Sequence, residues 1–156
     1  MKLADFIRTD AIIPELQSTE RNGVIRELVD LLAKSVGLDE KDVPAIVKAI
    51  IVRENQATTG LGKGAAIPHV KHPAVKQIAG ALGRSSVGID FASHDRAPVY
   101  LVGLVLSPPD NPEQHLAAME KIVRNLNREN FRRFLRQAAS KEEMIEIIQE
   151  ADELPG

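Results

Sequence analysis

The chain has 156 residues, and its 20 basic and 22 acidic residues give a formal net charge of −2, which excludes a generally basic surface for nucleic acid or anionic membrane. Aromatic residues, at 3%, are too few for base-stacking platforms, and the absence of cysteine excludes thiolate catalysis and favours a reducing, cytoplasmic location. No stretch approaches the roughly 20 apolar residues of a membrane span, so we predict one soluble domain, residues 1–156, without direct membrane insertion.

The first part of the chain predicts a short strand and then a well-defined helix. Residues 9–16 fit an edge strand or a turn, because Pro14 cannot donate a hydrogen bond in a sheet centre. Apolar residues recur at helical spacing over residues 19–36, at Val24, Ile25, Leu28, Leu31, Leu32 and Val36. Ser18 or Thr19 is the expected N-cap of this helix, and Gly37 is its expected stop.

A second helix leads into a glycine-spaced segment. This helix is expected to begin between Asp39 and Asp42 and to place Arg53 and Glu54 at its end. Residues 59–69 follow, with glycines at every second position that allow backbone N–H groups to approach an anion closely, namely Gly60, Gly62 and Gly64. Pro68 stops a small apolar strand, so His69 is expected to lie where regular structure ends.

The rest of the chain alternates strands and helices. Residues 77–82 fit a short strand followed by a polar turn region, and the apolar run 99–106 is typical of a central strand. Asn111 is the N-cap of a helix whose predicted apolar stripe is Leu116, Met119, Val123 and Leu126. Another helical stripe comprises Phe131, Phe134, Leu135 and Ala138, and residues 140–143 form a capping box for a last helix. The predicted fold class is α/β, a single domain with a small mixed β-sheet flanked by helices on both faces.

Three short motifs carry a resemblance to a known family. They are Arg53-Glu54, the segment 58–62 (Thr-Thr-Gly-Leu-Gly) and the segment 66–69 (Ala-Ile-Pro-His). They resemble the enzyme IIA domain of the mannitol/fructose class of the bacterial phosphoenolpyruvate-dependent sugar phosphotransferase system, and most closely its stand-alone nitrogen-regulatory IIA proteins. The resemblance covers the whole chain, because the predicted elements follow the family's order. The glycines alone are unspecific, since their spacing is neither a Rossmann nor a Walker motif.

The resemblance implies a phosphocarrier. His69 is the residue expected to accept a phosphoryl group from a histidine-containing phosphocarrier protein. The group then passes to a IIB component in sugar uptake, or its presence changes which regulatory target protein binds. Arg53 and His115 are the implied catalytic partners of His69, and the further donors expected to stabilise the phosphoryl group are Thr58, Thr59, Gly60, Gly62 and Gly64. Transfer between two histidines needs neither metal nor nucleotide, so no cofactor is expected.

Each of these side chains also has a purely structural interpretation. Without the family, His69 is a partly exposed loop histidine, His115 is packed at a helix start, and Arg53 is a charge that stabilises a helix C terminus. His72 and His94 are interpreted as surface-loop residues. A metal hydrolase built on His69, His72 and His115 is a third function, and it is disfavoured because no carboxylate-rich ligand set lies nearby in the sequence.

Two residues depart from the family pattern. Val70 stands where the family usually has a very small residue, and Ala65 stands where a larger aliphatic residue is usual. A branched side chain directly after His69 is expected to crowd a docking partner. A non-enzymatic regulatory or anion-sensing module on the same fold is therefore the alternative function. The basic residues of the C-terminal part are interpreted as a solvated helix face, and at most as a docking edge, at Arg124, Arg128, Arg132, Arg133 and Arg136.

Overall fold

The fold is built on a six-stranded mixed sheet with five α-helices, seen in a computed structural model that describes residues 1–93 and 95–154. The strands are β1 (Ile7–Ile13), β2 (Gly60–Gly62), β3 (Ala65–Ala66), β4 (His69–Lys71), β5 (Ala79–Ile89) and β6 (Val99–Ser107). The α-helices are α1 (Arg21–Val36), α2 (Val43–Gln56), α3 (Pro112–Leu126), α4 (Glu129–Gln137) and α5 (Lys141–Glu153). Short 3₁₀ helices span Leu3–Asp5 and Glu40–Asp42. None of the helices in the described part of the chain has the length and hydropathy to cross a bilayer.

Strand β6 is the centre of the sheet, as its apolar run predicts. It pairs antiparallel with β5 on one side, and parallel with β3 and then β4 on the other, so the strand order is β1-β5-β6-β3-β2. Helices α1 and α2 cover one face, where Val24, Leu28, Ile46 and Ile50 are buried. Helices α3, α4 and α5 cover the other, where Ile122, Leu126, Leu135 and Met144 are buried. The predicted α/β class with helices on both faces is confirmed.

Two strands differ in length from their predictions. Strand β1 begins at Ile7, two residues earlier than predicted, and ends before Pro14 at the sheet edge. Strand β5 runs from Ala79 to Ile89, so the polar turn predicted to start after residue 82 was wrong. The polar residues of β5 find tertiary partners, because Arg84 donates hydrogen bonds to the carbonyls of Pro14 and Arg136. A local sequence pattern cannot predict these hydrogen bonds, because the partners of Arg84 are 50 or more residues away along the chain.

The ends of the helices follow the capping signals in part. Gly37 closes α1 in the left-handed conformation, with φ of 72°, as predicted. The N-cap of α1 is Glu20, however, and not Ser18 or Thr19 as predicted. The hydroxyl of Ser18 accepts a hydrogen bond from the N–H of Glu20, which lies outside the helix. Helix α2 continues past Glu54 to Gln56.

The apolar stripes of α3 and α4 were each wrong at one position. Asn111 caps α3 by accepting from the Gln114 N–H at 3.1 Å, as predicted. Leu116 is 58% exposed and Phe134 is 46% exposed. The side chains that α3 buries are instead His115, Ala118, Ile122, Asn125 and Leu126. The buried face of α3 begins with the polar residue His115, so hydropathy alone predicts its exposed neighbour Leu116 as the first buried residue.

Candidate functional site

His69 is the first residue of β4 and is half-buried. It pairs with Val105 of β6, so it lies inside a short strand and not in the loop that the proline predicts. Its Nδ1 lies 2.8 Å from the carbonyl oxygen of Ile67. A carbonyl oxygen can only accept a hydrogen bond, so Nδ1 carries the proton and Nε2 of the neutral ring keeps its lone pair.

His115 lies beside His69. It occupies the first turn of α3 and is 8% exposed, and the centroids of the two imidazole rings are 5.5 Å apart with the planes tilted by 47°. Its Nδ1 is 2.6 Å from the hydroxyl oxygen of Ser107, the last residue of β6. Ser107 was missed by the sequence analysis, although a serine that directly follows the apolar run 99–106 was the available signal.

Both histidines favour the neutral ring. Burial lowers the pKa of His69 below its ordinary 6.5, and the positive charges of Arg53 and Lys71 lower it further against the opposing effects of Glu54 and the Ile67 carbonyl. Burial likewise lowers the pKa of His115 to about 4, with help from His69, Lys71 and Arg53. At neutral pH the pair therefore presents one ring with a free Nε2 lone pair beside a second uncharged ring.

Charged side chains from two elements surround the pair. Arg53 lies in the last turn of α2 with its side chain exposed. Lys71 follows His69 by two residues on β4, which places it on the same face of the strand. The sequence analysis missed Lys71. Glu54 is buried, at 3% exposure, and accepts hydrogen bonds from the backbone N–H of Thr59 at 3.1 Å and from the Thr59 hydroxyl.

The two threonines of the motif direct their hydroxyls into the protein. Thr58 donates to the carbonyl of Phe91 at 2.7 Å and accepts from the N–H of Gly60 at 3.0 Å, while Thr59 donates to Glu54. A side chain on Gly60 would meet the hydroxyl oxygen of Ser93 at 2.2 Å, so a glycine is needed for this close approach. These contacts hold β2 in place next to the histidine pair, and they use donors that the sequence analysis assigns to a phosphoryl group.

The other two glycines of the motif lie away from His69. Strands β2 and β3 form a hairpin closed by Lys63 and Gly64, whose φ values of 59° and 79° are those of a tight two-residue turn. Ala65 pairs with Leu101 and His69 pairs with Val105. Four residues along a strand correspond to roughly 13 Å. The structure therefore does not bring Gly62 and Gly64 to the site: Gly62 ends β2, and Gly64 lies in the hairpin turn.

Val70 and Ala65 both pack into the interior. Val70 lies between His69 and Lys71 on β4 and packs against the core under α1 and α2, on the face opposite to His69. Ala65 is 1% exposed and belongs to the core under α3, α4 and α5. This placement argues against the expectation that Val70 crowds a docking partner, because alternate residues of a strand point to opposite faces.

A Val70→Gly variant is expected to lose stability without gaining phosphoryl-transfer rate. Removing a half-buried side chain and adding a glycine to a strand is expected to lower the free energy of unfolding by about 1–2 kcal/mol. Chemical denaturation and a transfer assay measure the two quantities. Val87→Gly is the control for backbone entropy, because Val87 is 67% exposed in β5. A Val70→Gly variant that transfers several times faster than wild type would show that the side chain does obstruct the partner.

The remaining histidines are not part of the pair. The Nδ1 atom of His72 accepts a hydrogen bond from the Ala74 N–H at 3.1 Å. The backbone N–H of His72 donates to the Ser107 carbonyl at 3.0 Å, so His72 stabilises a turn after β4. His94 lies outside the described residues. Over the ranges 1–93 and 95–154, no three metal-ligating side chains are grouped as a metal site would require.

The pKa of His69 should respond in opposite directions to the loss of its two neighbours on α2. Arg53→Gln removes a positive charge and is expected to raise the pKa, whereas Glu54→Gln removes a negative charge and is expected to lower it. Titration of the His69 ring by two-dimensional NMR measures both shifts, with Lys48→Gln on the exposed side of α2 as the control. Shifts of the same sign in both variants would contradict this electrostatic account.

The whole chain matches a family of known proteins. Residues 5–151 match the model of the phosphoenolpyruvate-dependent sugar phosphotransferase system, EIIA 2. The chain belongs to this enzyme IIA family. Its relatives include the fructose-specific EIIA component of Haloferax volcanii, 36% identical over 85% of each chain, and the nitrogen regulatory protein of Bradyrhizobium diazoefficiens, 32% identical over 95% of each. The fructose-specific EIIABC component of Bacillus subtilis is 36% identical over 97% of the chain, which spans only 24% of that longer protein.

Solved structures of enzyme IIA proteins share the fold. The nitrogen regulatory protein IIA-Ntr of Neisseria meningitidis superimposes with a TM-score of 0.83, 28% identity and coverage of 94% of this chain and 98% of that one. Enzyme IIA of the mannitol system of Escherichia coli, solved in complex with phosphorylated enzyme IIB, has a TM-score of 0.77 at 19% identity, with coverage of 93% and 99%. The second likeness supports the fold alone.

Proposed function

We propose that the chain is a phosphocarrier that accepts a phosphoryl group on Nε2 of His69. The observation that carries this proposal is the hydrogen bond from Nδ1 of His69 to the Ile67 carbonyl, which leaves Nε2 as the nucleophilic nitrogen of a neutral ring. The lowered pKa of His69 keeps that ring unprotonated at neutral pH. The family membership of the chain supports the same reaction class.

The proposed transfer needs no proton acceptor. The lone pair of His69 Nε2 attacks the phosphorus of a phosphohistidine on a histidine-containing phosphocarrier protein, and the P–N bond of the donor breaks as the new P–N bond forms. The donor nitrogen takes back the electron pair of the broken bond. Because His69 keeps its Nδ1 proton, the hydrogen bond to Ile67 persists in the product, so the nucleophile is held in one orientation throughout.

Stabilisation of the transferring group falls to three side chains. The transition state spreads negative charge over the equatorial oxygens of phosphorus. The positive charges of Arg53 and Lys71 both lower the pKa of His69, which supports a role for them in balancing the charge on these oxygens. His115 contributes a neutral ring: when Ser107 donates to its Nδ1, its Nε2–H is free to donate to a phosphoryl oxygen.

The regulatory use of this reaction is the one we favour. The nitrogen regulatory relatives match along 92–95% of their own length, and the Neisseria structure of that group has a TM-score of 0.83. A phosphoryl group on half-buried His69 would change the charge of the surface that a regulatory target contacts. Use in sugar uptake, with a IIB component as acceptor, is the second candidate, because the fructose-specific EIIA component of Haloferax volcanii is 36% identical, against 32% for the Bradyrhizobium nitrogen regulatory protein.

The first experiment is to incubate the protein with a phosphorylated histidine-containing carrier and to identify the product by NMR of ¹⁵N-labelled histidine. A phosphohistidine at Nε2 of His69 is the expected result. Addition of a purified IIB component then distinguishes the two uses, since rapid loss of the label supports sugar uptake. A folded protein that takes no label from any such donor contradicts the proposal and supports the anion-sensing module.

A further inference from the structure

A cluster of cations lies near the start of β6, away from the histidine pair, which lies near the end of that strand. We define the arginine face as Lys63, Arg132, Arg133 and Arg136, which line a shallow cavity of about 480 Å³ together with Glu129 and Gln137. Lys63 is at the tip of the β2–β3 hairpin, and the three arginines are on α4. The reaction proposed for His69 makes no use of this surface, although the chain as a whole has a formal net charge of −2.

The arginines of this face are held in position by contacts within the protein. The Arg136 guanidinium lies 3.9 Å from the centre of the Tyr100 ring, and that of Arg133 lies 5.2 Å from the centre of the Phe134 ring. Arg132 donates a hydrogen bond to the Leu126 carbonyl at 2.9 Å. The carbonyl of Arg136 accepts from Arg84 on β5, so the end of α4 is tied to the sheet. Side chains that are already ordered lose less conformational entropy when a partner binds.

The cations of this face form no ion pair with the residues that the structure describes. In residues 1–93 and 95–154, the ion pair found in the structure is that between Lys41 and Asp39, and it includes none of these four cations. Asp95, close to the hairpin tip, accepts from the backbone N–H groups of Lys63 and Ala97, so backbone amides use its oxygens. With three arginines and one lysine against the single carboxylate of Glu129 in the same cavity, the surface keeps an excess of positive charge and is complementary to an acidic partner.

Phe134 indicates which kind of anion fits. It is 46% exposed and its ring centre lies 5.2 Å from the Arg133 guanidinium, so an apolar surface borders the positive surface at Arg133. An inorganic phosphate or a nucleotide phosphate would use the guanidinium groups but would gain nothing from an exposed phenyl ring. A protein segment that carries both carboxylates and an apolar side chain would use both.

We propose that the arginine face binds an acidic, amphipathic segment of a protein partner, through carboxylates that contact Lys63, Arg133 and Arg136 and an apolar side chain that packs on Phe134. Arg133 and Arg136 are three residues apart on α4 and so lie on the same side of that helix, which suits a partner helix whose acidic residues are three or four residues apart. The face adjoins Tyr100 at the start of β6, whereas His69 pairs near the end of that strand. A partner bound here leaves His69 open to its phosphoryl donor, so the two surfaces can be occupied together.

Fluorescence anisotropy with a labelled helical peptide tests the proposal. The peptide carries glutamates four residues apart and leucines beside them, and a matched peptide has glutamine in place of every glutamate. Wild type is expected to bind the acidic peptide, with affinity that falls as salt is added, and not the glutamine peptide. The variant Lys63→Gln/Arg133→Gln/Arg136→Gln should bind about tenfold more weakly. Phe134→Gln, which changes no charge, should bind about threefold more weakly.

The matched control removes the same amount of charge elsewhere. Arg26→Gln/Lys34→Gln/Lys48→Gln changes exposed residues of α1 and α2, and it is expected to bind like wild type. Equal losses in the two triple variants would overturn the proposal, because the effect would then be one of net charge. It would also be overturned if the two peptides bound alike, or if tripolyphosphate displaced the acidic peptide while Phe134→Gln bound normally, since that pattern indicates a phosphate site. All variants should still accept a phosphoryl group on His69, so failure here is separable from failure of the phosphocarrier proposal.

Discussion

Phosphoryl transfer to a His69→Ala variant is expected to fall to background. The variant lacks the Nε2 lone pair, and His115, the other ring of the pair, is 8% exposed, so it is too buried to meet a donor in its place. Acid-labile label from a phosphorylated carrier, counted after rapid quenching, measures the effect. The fold should survive, because the His69 side chain is only half-buried and its ring hydrogen bond joins it to the nearby Ile67 carbonyl and to no other element.

His72→Ala is the matched control for this experiment. It removes a histidine three residues away, just after β4, whose ring accepts from the Ala74 N–H. This variant should be labelled at a rate within about twofold of wild type. Persistent label on His69→Ala would mean that a different side chain is the nucleophile, and the phosphocarrier proposal at Nε2 of His69 would then fail.

The second large effect is expected for His115→Ala, which should accept the phosphoryl group about 100-fold more slowly than wild type. The loss of one preorganised donor to a developing negative charge typically costs about 3 kcal/mol of transition-state stabilisation. We infer that His115 is this donor from the 5.5 Å separation of the two ring centroids and from the 2.6 Å contact between the Ser107 hydroxyl and His115 Nδ1. Single-turnover rates measured by quench-flow with saturating phosphorylated carrier separate this loss from weaker docking.

Ser107→Ala distinguishes a donor from a packing role for His115. Without the serine hydroxyl, His115 is free to place its proton on either nitrogen, so transfer is expected to slow by about tenfold while the ring stays in place. If His115 only fills space, Ser107→Ala should transfer like wild type. A transfer rate in His115→Ala within a few-fold of wild type would remove His115 from the mechanism altogether.

Because both rings are neutral at pH 7, the rate is expected to be flat around that pH. Protonation of Nε2 removes the nucleophile, so the rate should fall only as the pH drops below 6.5 towards the lowered pKa of His69. His115, with a pKa of about 4, stays neutral across that range and should not contribute to the decline. Its burial in the uncharged form also favours unfolding as the pH falls from 6.5 towards 4, since the unfolded chain binds its proton more readily.

Much of the fold is predictable because it rests on local patterns. The apolar run of β6, the helical periodicity of α1 and the capping residues Gly37, Asn111 and Ser140 are each set by a few neighbouring residues, and they agree with the structure. The predictions failed where tertiary partners replace local signals. Strand β5 continues through Arg84 because carbonyls of a distant loop and of the helix α4 end accept its hydrogen bonds.

The candidate site, like the fold, was predictable only where short local motifs define it. The resemblance of the motifs already associates His69 with His115, and in the structure their ring centroids are 5.5 Å apart. Lys71 and Ser107 were missed because their proximity to the pair comes from the register of β4 on β6, where Lys71 lies opposite Ser107. The same register separates Gly62 and Gly64 from His69, which a reading along the chain places only a few residues apart.

The sequence by itself determined the family, the alternation of strands and helices, and the identity of His69 as the candidate nucleophile, because these depend on short motifs and periodicities. Only the tertiary structure decided that Nε2 is the free nitrogen, that Val70 faces the core, and that the motif's threonines hold β2. Those properties depend on which backbone carbonyl, strand face and neighbouring helix each side chain meets, and these partners become neighbours only when the sheet assembles.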